Sequence, residues 1–204
     1  MWLWITFHLD QAENEVLDSK SQVLFRHNAQ EREYKILKES VFKQNLVELR
    51  DGKFEYVGPV KNGIKCGFGK LTWAEGKYEG QFGGNMQDGI GKIEWNDGNN
   101  YFGGFFKDMR EGVGEFRWKI GNKYLGEWKN NFMHGFGIYI WKDGKEYTGN
   151  WKNGDREGYG IMKYTESKIY EGQFKDDKPN GIGVLKTETE EFRGKWLNGK
   201  LVKE

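Results

Sequence analysis

Catalysis in this chain would have to come from a small set of side chains. Gly-x-Gly steps occur at Gly67-Phe68-Gly69, Gly89-Ile90-Gly91, Gly112-Val113-Gly114, Gly135-Phe136-Gly137, Gly158-Tyr159-Gly160 and Gly181-Ile182-Gly183. A dinucleotide or phosphate cradle needs a third glycine and a helix that opens behind it, or a lysine closing a glycine-rich loop. The third glycine and its helix are missing after every step, and no lysine stands behind one at the spacing of a phosphate-binding loop. The three histidines, His8, His27 and His134, are dispersed and lack metal-ligand spacing. Cys66 is the single thiol and occupies the loop position equivalent to that of His134, just before a Gly-x-Gly step. Asp176-Asp177 and Glu190-Glu191 are adjacent acids in turn-like surroundings, which suits surface charge better than a paired acid and base. The residue types therefore predict no catalytic set, no cofactor site and no metal site, and the chain reads as a non-enzyme.

The glycines have another explanation, which lies in their period. An aromatic-x-Gly step recurs at Tyr56-Val57-Gly58, Tyr78-Glu79-Gly80, Tyr101-Phe102-Gly103, Tyr124-Leu125-Gly126, Tyr147-Thr148-Gly149, Tyr170-Glu171-Gly172 and Phe192-Arg193-Gly194. Its glycines stand 22 or 23 residues apart, and the Gly-x-Gly steps keep the same phase. A fixed period of this size marks a repeat array. Within each repeat the alternation has period two, so Tyr78, Gly80 and Phe82 share one face and Glu79 and Gln81 the other. Two strands per repeat follow. Asn62-Gly63, Asn153-Gly154 and Asn198-Gly199 join strands within repeats; Glu75-Gly76, Asp97-Gly98 and Asp143-Gly144 join one repeat to the next. Such pairs supply the positive backbone angles of tight hairpins. Four apolar columns run down the array, led by Tyr56, Val60, Leu71 and Trp73. A glycine in each strand leaves room for a large neighbouring ring.

The predicted fold class is an all-β repeat array: an elongated, twisted, single-layer antiparallel sheet of stacked hairpins with a short N-terminal helical lead-in. Residues 1–53 form the lead-in. Residues 54–204 form the array, six repeats and a terminal half-repeat. Leu3, Ile5, Phe7 and Leu9 alternate with Trp2, Trp4, Thr6 and His8, which suggests a short strand or an anchoring segment. From Asp10 to Glu48 no glycine interrupts the chain, and one or two amphipathic helices are expected. Val16, Leu17, Leu24 and Phe25 make one loose stripe; Tyr34, Leu37, Val41 and Val47 make another.

Composition narrows the function classes. There are 32 basic and 31 acidic residues, so nothing drives counterion release toward nucleic acid, and attraction to anionic lipid is weak. One cysteine excludes a disulfide within the chain and fits a reducing compartment. No apolar run reaches the length of a transmembrane helix. The apolar start lacks a basic leader and a small-residue cleavage site, so a signal peptide is not expected.

The outward face carries the most specific signal. Most of its positions are charged, as at Glu79, Lys92, Glu94, Glu115 and Arg117. Around repeats three to five, Phe102, Leu125, Ile138, Ile140 and Ile161 break that rule, and Phe136 lies on the same side with the other middle residues of the Gly-x-Gly steps. A contiguous exposed apolar patch would mark a contact surface. Either another protein docks there or the N-terminal helices fold back over it; docking is the expectation. The segment with Trp2 and Trp4 either plugs the body's own hydrophobic surface or inserts those rings into a partner or a membrane interface.

These motifs resemble the MORN (membrane occupation and recognition nexus) repeat. Tyr147, Gly149, Trp151, Asn153-Gly154, Gly158, Gly160 and Tyr164 match its pattern closely. Val57, Phe102, Leu125 and Thr148 depart from it where the family favours Glu, as do Pro59 and the degraded sixth repeat ending at Thr187. The resemblance implies a non-catalytic structural scaffold that binds other proteins in a large cytoskeletal assembly, with the cilium or flagellum axoneme and its radial spokes as the setting and a cytoplasmic location. Its alternative is a membrane-associated adaptor for phosphoinositide headgroups, which the near-neutral charge disfavours.

Overall fold

The computed structural model describes residues 2–40 and 46–202, with the side chains of residues 2–8 and of Asp10 left aside. A helix, α1 (Trp2–Ser40), precedes the strands. The first group of strands is β1 (Val47–Arg50), β2 (Phe54–Gly58), β3 (Val60–Lys61), β4 (Ile64–Lys65), β5 (Gly67–Trp73), β6 (Gly76–Gly83), β7 (Met86–Trp95), β8 (Asn100–Phe106) and β9 (Met109–Arg117). The second is β10 (Lys123–Lys129), β11 (Phe132–Ile140), β12 (Glu146–Lys152), β13 (Asp155–Thr165), β14 (Lys168–Lys175), β15 (Lys178–Lys186), β16 (Glu191–Leu197) and β17 (Lys200–Leu201). Fifteen of them hydrogen-bond in chain order, β1-β2-β5-β6 and onward to β17. The fold is the antiparallel array of stacked hairpins that the period demands.

The chain divides into two compact units. One holds Leu24–Gly121 with Trp128–Asn131; the other holds Met1–Val23, Asn122–Glu127 and Phe132–Glu204. Both repeat one device. In the first unit the ring of Tyr78 lies over Gly80 of its own strand and Gly91 of the next, which face each other across β6 and β7. A Cβ on Gly91 would come within 2.5 Å of the ring's Cζ. The Tyr78 hydroxyl donates to the Gln81 carbonyl at 2.7 Å. Tyr101 repeats this over Gly103 and Gly114, and Tyr56 over Gly58 and Gly69. In the second unit Tyr124, Tyr147 and Tyr170 do the same. All six rings are 0–1 % exposed. Burial drives the hydroxyls of Tyr56, Tyr78, Tyr101, Tyr147 and Tyr170 above the ordinary tyrosine range, to about 12 at Tyr56 and further at Tyr78.

Between successive tyrosines sits a second ring, edge-on. Phe82 lies 5.1 Å from both Tyr56 and Tyr78. In the other unit Phe174 lies 5.0 Å from Tyr147 and 5.2 Å from Tyr170. Such T-shaped pairs add about 0.5–1.5 kcal/mol each beyond area burial. Where the ring is Trp, its indole N–H finds a carbonyl: Trp128 to Gly114 at 3.0 Å, Trp151 to Gly137 at 3.2 Å and Trp196 to Gly183 at 3.1 Å. Among the described residues, aromatic side chains therefore core a single sheet without a second layer on that face.

Three local expectations need correction. First, residues 2–9 are not a strand; α1 runs unbroken from Trp2 to Ser40. A segment apolar on both faces has no ladder to join there, whereas a stretch free of Gly and Pro propagates a helix once begun. Second, Gly76 is not a turn glycine of positive φ, unlike Gly98 (φ 96°) and Gly144 (φ 86°). It begins β6, where a Cβ would stand 2.5 Å from the Glu94 carbonyl oxygen, so close backbone approach requires it. Third, the sheet starts before residue 54: β1 pairs with β2, setting Leu49 against Tyr56. Asn153-Gly154 behaves as the sequence predicts, with φ of 53° and 99°. At Pro59, which has no N–H to offer a ladder, the first hairpin's tip separates as the two-stranded β3–β4 sheet.

Candidate interaction surface

The face opposite the tyrosines carries α1, and a seven-residue rhythm places it. Leu9, Val16 and Val23 are buried at 6, 5 and 2 % exposure, and His27 at 7 %. Tyr34 and Leu37 continue that side half-buried, while Leu17, Leu24 and Phe25 point to solvent. The stripe thus differs from the Val16-Leu17-Leu24-Phe25 reading. Mixed apolar residues on several sides of a helix leave the choice of inward side to the surface beneath it. Val41 lies outside the described residues, and Val47 belongs to β1.

In the first unit, the Tyr34 ring meets Phe68 and Phe102, each at 5.3 Å between ring centres, and His27 meets Phe102 edge-on at 5.5 Å. The Tyr34 hydroxyl and the Lys38 ammonium both donate to Glu79 Oε2, at 3.0 and 2.9 Å. Burial, then the Glu79 carboxylate, pushes the Tyr34 hydroxyl up. An open groove of about 340 Å³ runs beside these contacts, lined by His27, Tyr34, Lys92, Phe102, Glu115 and Arg117 among others. Of its lining residues, Arg117 holds Glu115, and Lys92 holds Glu94, which Lys77 also holds. The two lysine contacts depress the Glu94 carboxyl to about 2.

In the second unit, Leu9 packs with Val184, Tyr159 and Ile182, and the Tyr159 hydroxyl donates to the Leu9 carbonyl at 3.4 Å. Val16 and Ala12 line a small groove with Phe136 and Tyr159. Lys20 reaches Glu146 Oε1 at 3.0 Å, and Thr148 donates to the same oxygen at 2.9 Å. Burial raises the Glu146 carboxyl, but these two bonds outweigh it and the net shift is downward.

The residues expected to break the polar face therefore stand as follows. Phe102 lies against His27 and Tyr34. Phe136 lies beside Val16. Leu125 and Ile138 are buried, at 5 and 6 % exposure, and Ile138 faces Thr148 across β11 and β12. Ile140 and Ile161 are half-buried on the same side. Trp2 and Trp4 fall in the first turn of α1, and their side chains lie outside those described. The middle residues Phe68, Phe136, Tyr159 and Ile182 all touch or border α1.

Two residues on the tyrosine face carry no signal in the repeat pattern. Arg110 lays its guanidinium 4.4 Å from the Trp128 ring centre and 5.2 Å from Phe116, and donates to the Asn131 carbonyl at 2.9 Å. Burial lowers its pKa. Arg156, two repeats on, sits 5.6 Å from Tyr147 and 5.7 Å from Phe174 and bonds Asp177 Oδ1 at 3.0 Å. Only the spacing between Arg110 and Arg156 could have linked them beforehand.

Among the described residues no group of three or more His, Cys, Asp or Glu is placed to hold a metal ion, and no helix is long and apolar enough to cross a membrane. Hairpins clamped by a ring on paired glycines, repeated with side chains rather than a cleft between them, define an interaction module built from short β repeats. The MORN repeat family matches residues 56–77, 78–100, 101–123, 124–146, 147–166 and 170–188. The chain belongs to that family. No curated protein matches it in sequence.

Proposed function

We propose that this chain is a non-catalytic scaffold that holds other proteins in a large cytoskeletal assembly, with the ciliary or flagellar axoneme and its radial spokes as the setting and the cytoplasmic side as its location. The observation that carries the scaffold reading is the filling of the tyrosine face: six rings 0–1 % exposed lie where an enzyme would need a cleft. The ciliary setting rests on the resemblance of the repeats alone. Partners meet the outer side of α1, where Phe25 and Ile36 are 72 and 67 % exposed and, eleven residues apart, share one side of the helix. On the same face Phe102 and Phe136 already border α1, so a partner that reads them together with Leu125, Ile138, Ile140 and Ile161 must displace it.

The test is capture of proteins from ciliated-cell extract by the intact chain and by a Phe25→Asp/Ile36→Asp variant with an unchanged melting curve. The scaffold reading expects defined axonemal proteins with the former and their loss with the latter. Equal capture by both chains refutes the helix surface. Sedimentation with vesicles containing phosphoinositide at physiological salt, without protein capture, favours the adaptor reading instead.

A further inference from the structure

On the tyrosine face, the first unit sets two tryptophans on either side of a residue without a side chain. Pairing aligns Trp73, Gly76 and Trp95 across β5, β6 and β7. Gly76 lies two residues before Tyr78, so all three belong to that ring's side of the sheet, away from α1. Two strand spacings, about 10 Å, separate the tryptophans. Both are half-buried. The Trp95 indole rests tilted on Phe116 at 5.6 Å, and Phe116 stands on β9, on the side away from Gly76. The other indole face is therefore turned toward Trp73. An open groove of about 330 Å³ is lined here by Trp73, Gly76 and Trp95, with Lys77 and Glu94 among its other residues. Lys77 is bound to Glu94.

The other repeats fill this place from within. Two residues before the next four tyrosines stand Asn99, Asn122, Lys145 and Lys168 where Gly76 stands before Tyr78. Tyr164 follows Met162 as Trp73 follows Leu71, and the Lys168 ammonium lies 5.4 Å from the Tyr164 ring centre. Arginine serves the same face elsewhere. Arg156 lies 5.8 Å from the Trp141 ring centre, and Arg110 lies 4.4 Å from that of Trp128. Among the described residues no cation lies over Trp73 or Trp95.

The geometry points to a slot for the arginine side chain of a partner protein, its guanidinium laid between Trp73 and Trp95. A cation midway between the walls stands about 5 Å from each, inside the roughly 6 Å reach of a cation–π contact. Arginine suits the slot better than lysine, because its charge is planar, weakly hydrated and able to stack on rings. The rim has the complementary charge. Glu75 and Asp97 are exposed in the turns after β5 and β7. Asn96 ties those turns together, its N–H donating to the Glu75 carbonyl and its side-chain amide to the Ala74 carbonyl, each at 2.8 Å. Asp97 accepts from the Asn99 N–H and side-chain amide at 2.8 and 2.7 Å, neutral donors that leave its charge in place. The slot lies on the face opposite α1, so it does not depend on the outer side of that helix serving partners.

Heteronuclear NMR of the intact, isotope-labelled chain tests the slot through its indole N–H signals, with the peptide acetyl-Gly-Ser-Arg-Ser-Gly-amide as probe. Trp73→Leu and Trp95→Leu assign the two signals. The arginine peptide should move both signals to saturation in the millimolar range. The matching lysine peptide should bind several-fold more weakly, and the citrulline peptide, which keeps the shape without the charge, should move neither. Glu75→Lys alters an exposed turn and, with an unchanged melting curve, should weaken binding roughly fivefold. Trp73→Leu should abolish the movement of the Trp95 signal. The proposal is overturned if the arginine peptide gives no saturable movement, or if citrulline binds as well as arginine. Tighter binding of a lysine or trimethyl-lysine peptide overturns it too, by assigning the slot to an ammonium group. So does unchanged affinity in Glu75→Lys, which would remove the rim charge from the site.

Discussion

Replacing Gly91 by alanine tests the clamp that recurs through the sheet. A Cβ at this position would stand 2.3 Å from Tyr78 Cε2, 2.4 Å from its hydroxyl oxygen and 2.5 Å from Cζ. Real carbon contacts do not approach so closely, and the ring has nowhere to go: it is wholly buried, with Phe82 and Phe105 edge-on at 5.1 and 5.2 Å. Overpacking of this kind costs about 1–3 kcal/mol. Displacing the ring also breaks the 2.7 Å hydrogen bond to Gln81, worth about 1 kcal/mol. The expected loss is about 3 kcal/mol. Tyr78→Ala alone should cost about 3–5 kcal/mol, the range for deleting a large buried ring. The decisive quantity is the coupling. With the ring gone, the added methyl group meets little, and Gly91→Ala in the Tyr78→Ala background should cost under about 1 kcal/mol. Guanidinium unfolding of the four chains, followed by tryptophan fluorescence and by circular dichroism, supplies the cycle. Because array stability is shared between neighbours, both probes must move together for a two-state treatment. Additive losses, with Gly91→Ala equally costly with or without the ring, would refute the clamp.

Other outcomes follow from particular contacts. Arg110→Lys should destabilise by about 1–2 kcal/mol, because an ammonium keeps the charge but loses the planar stack on Trp128 and the forked bond to Asn131; thermal melting measures it. Glu94 has a folded pKa of about 2, below its ordinary 4.5, so its contribution to stability is full above about pH 4.5 and is lost as the pH falls toward 2; Glu94→Gln should flatten the pH dependence of unfolding in that window. Ile138→Asp places an unpaired charge at a position 6 % exposed and should lower the melting temperature while loosening α1, read as faster proteolysis of residues 9–34; unchanged stability and proteolysis would show that Ile138 is a free surface residue.

The array was legible because its rule is local. Tyrosine two residues before glycine, with a second glycine one strand on, states both the strand face and the clamp, and the 22- or 23-residue spacing states the stacking. The amphipathic lead-in was legible as helix but not as to its inward side. Leu17 and Leu24 are as apolar as Val16 and Val23, and only the position of Phe68, Phe102, Phe136 and Tyr159 beneath α1 selects between them. Residues 2–9 alternate as a strand would, but alternation carries no meaning without a neighbour to pair with. Strand β1 was hidden because Val47 replaces the glycine that marks its equivalents, although Leu49 keeps their spacing. Gly76 was misread since sequence alone does not separate a glycine needed for its backbone angle from one needed for lack of a side chain. The apolar breaks on the polar face were identified from alternation, while their relation to α1 depended on long-range packing.

Helix α1 lies on the face opposite the tyrosines, with its Leu9, Val16, Val23 and Tyr34 side turned inward. Hydrogen–deuterium exchange of the intact chain at neutral pH, resolved by peptide, tests it most directly. Amides from Val16 to Tyr34 should exchange on the slow timescale of the tyrosine-bearing strands β6 and β12, and Glu79→Ala with Glu146→Ala should speed the helix while leaving those strands slow. A helix that exchanges at once in the unaltered chain, beside fully protected strands, would contradict the account.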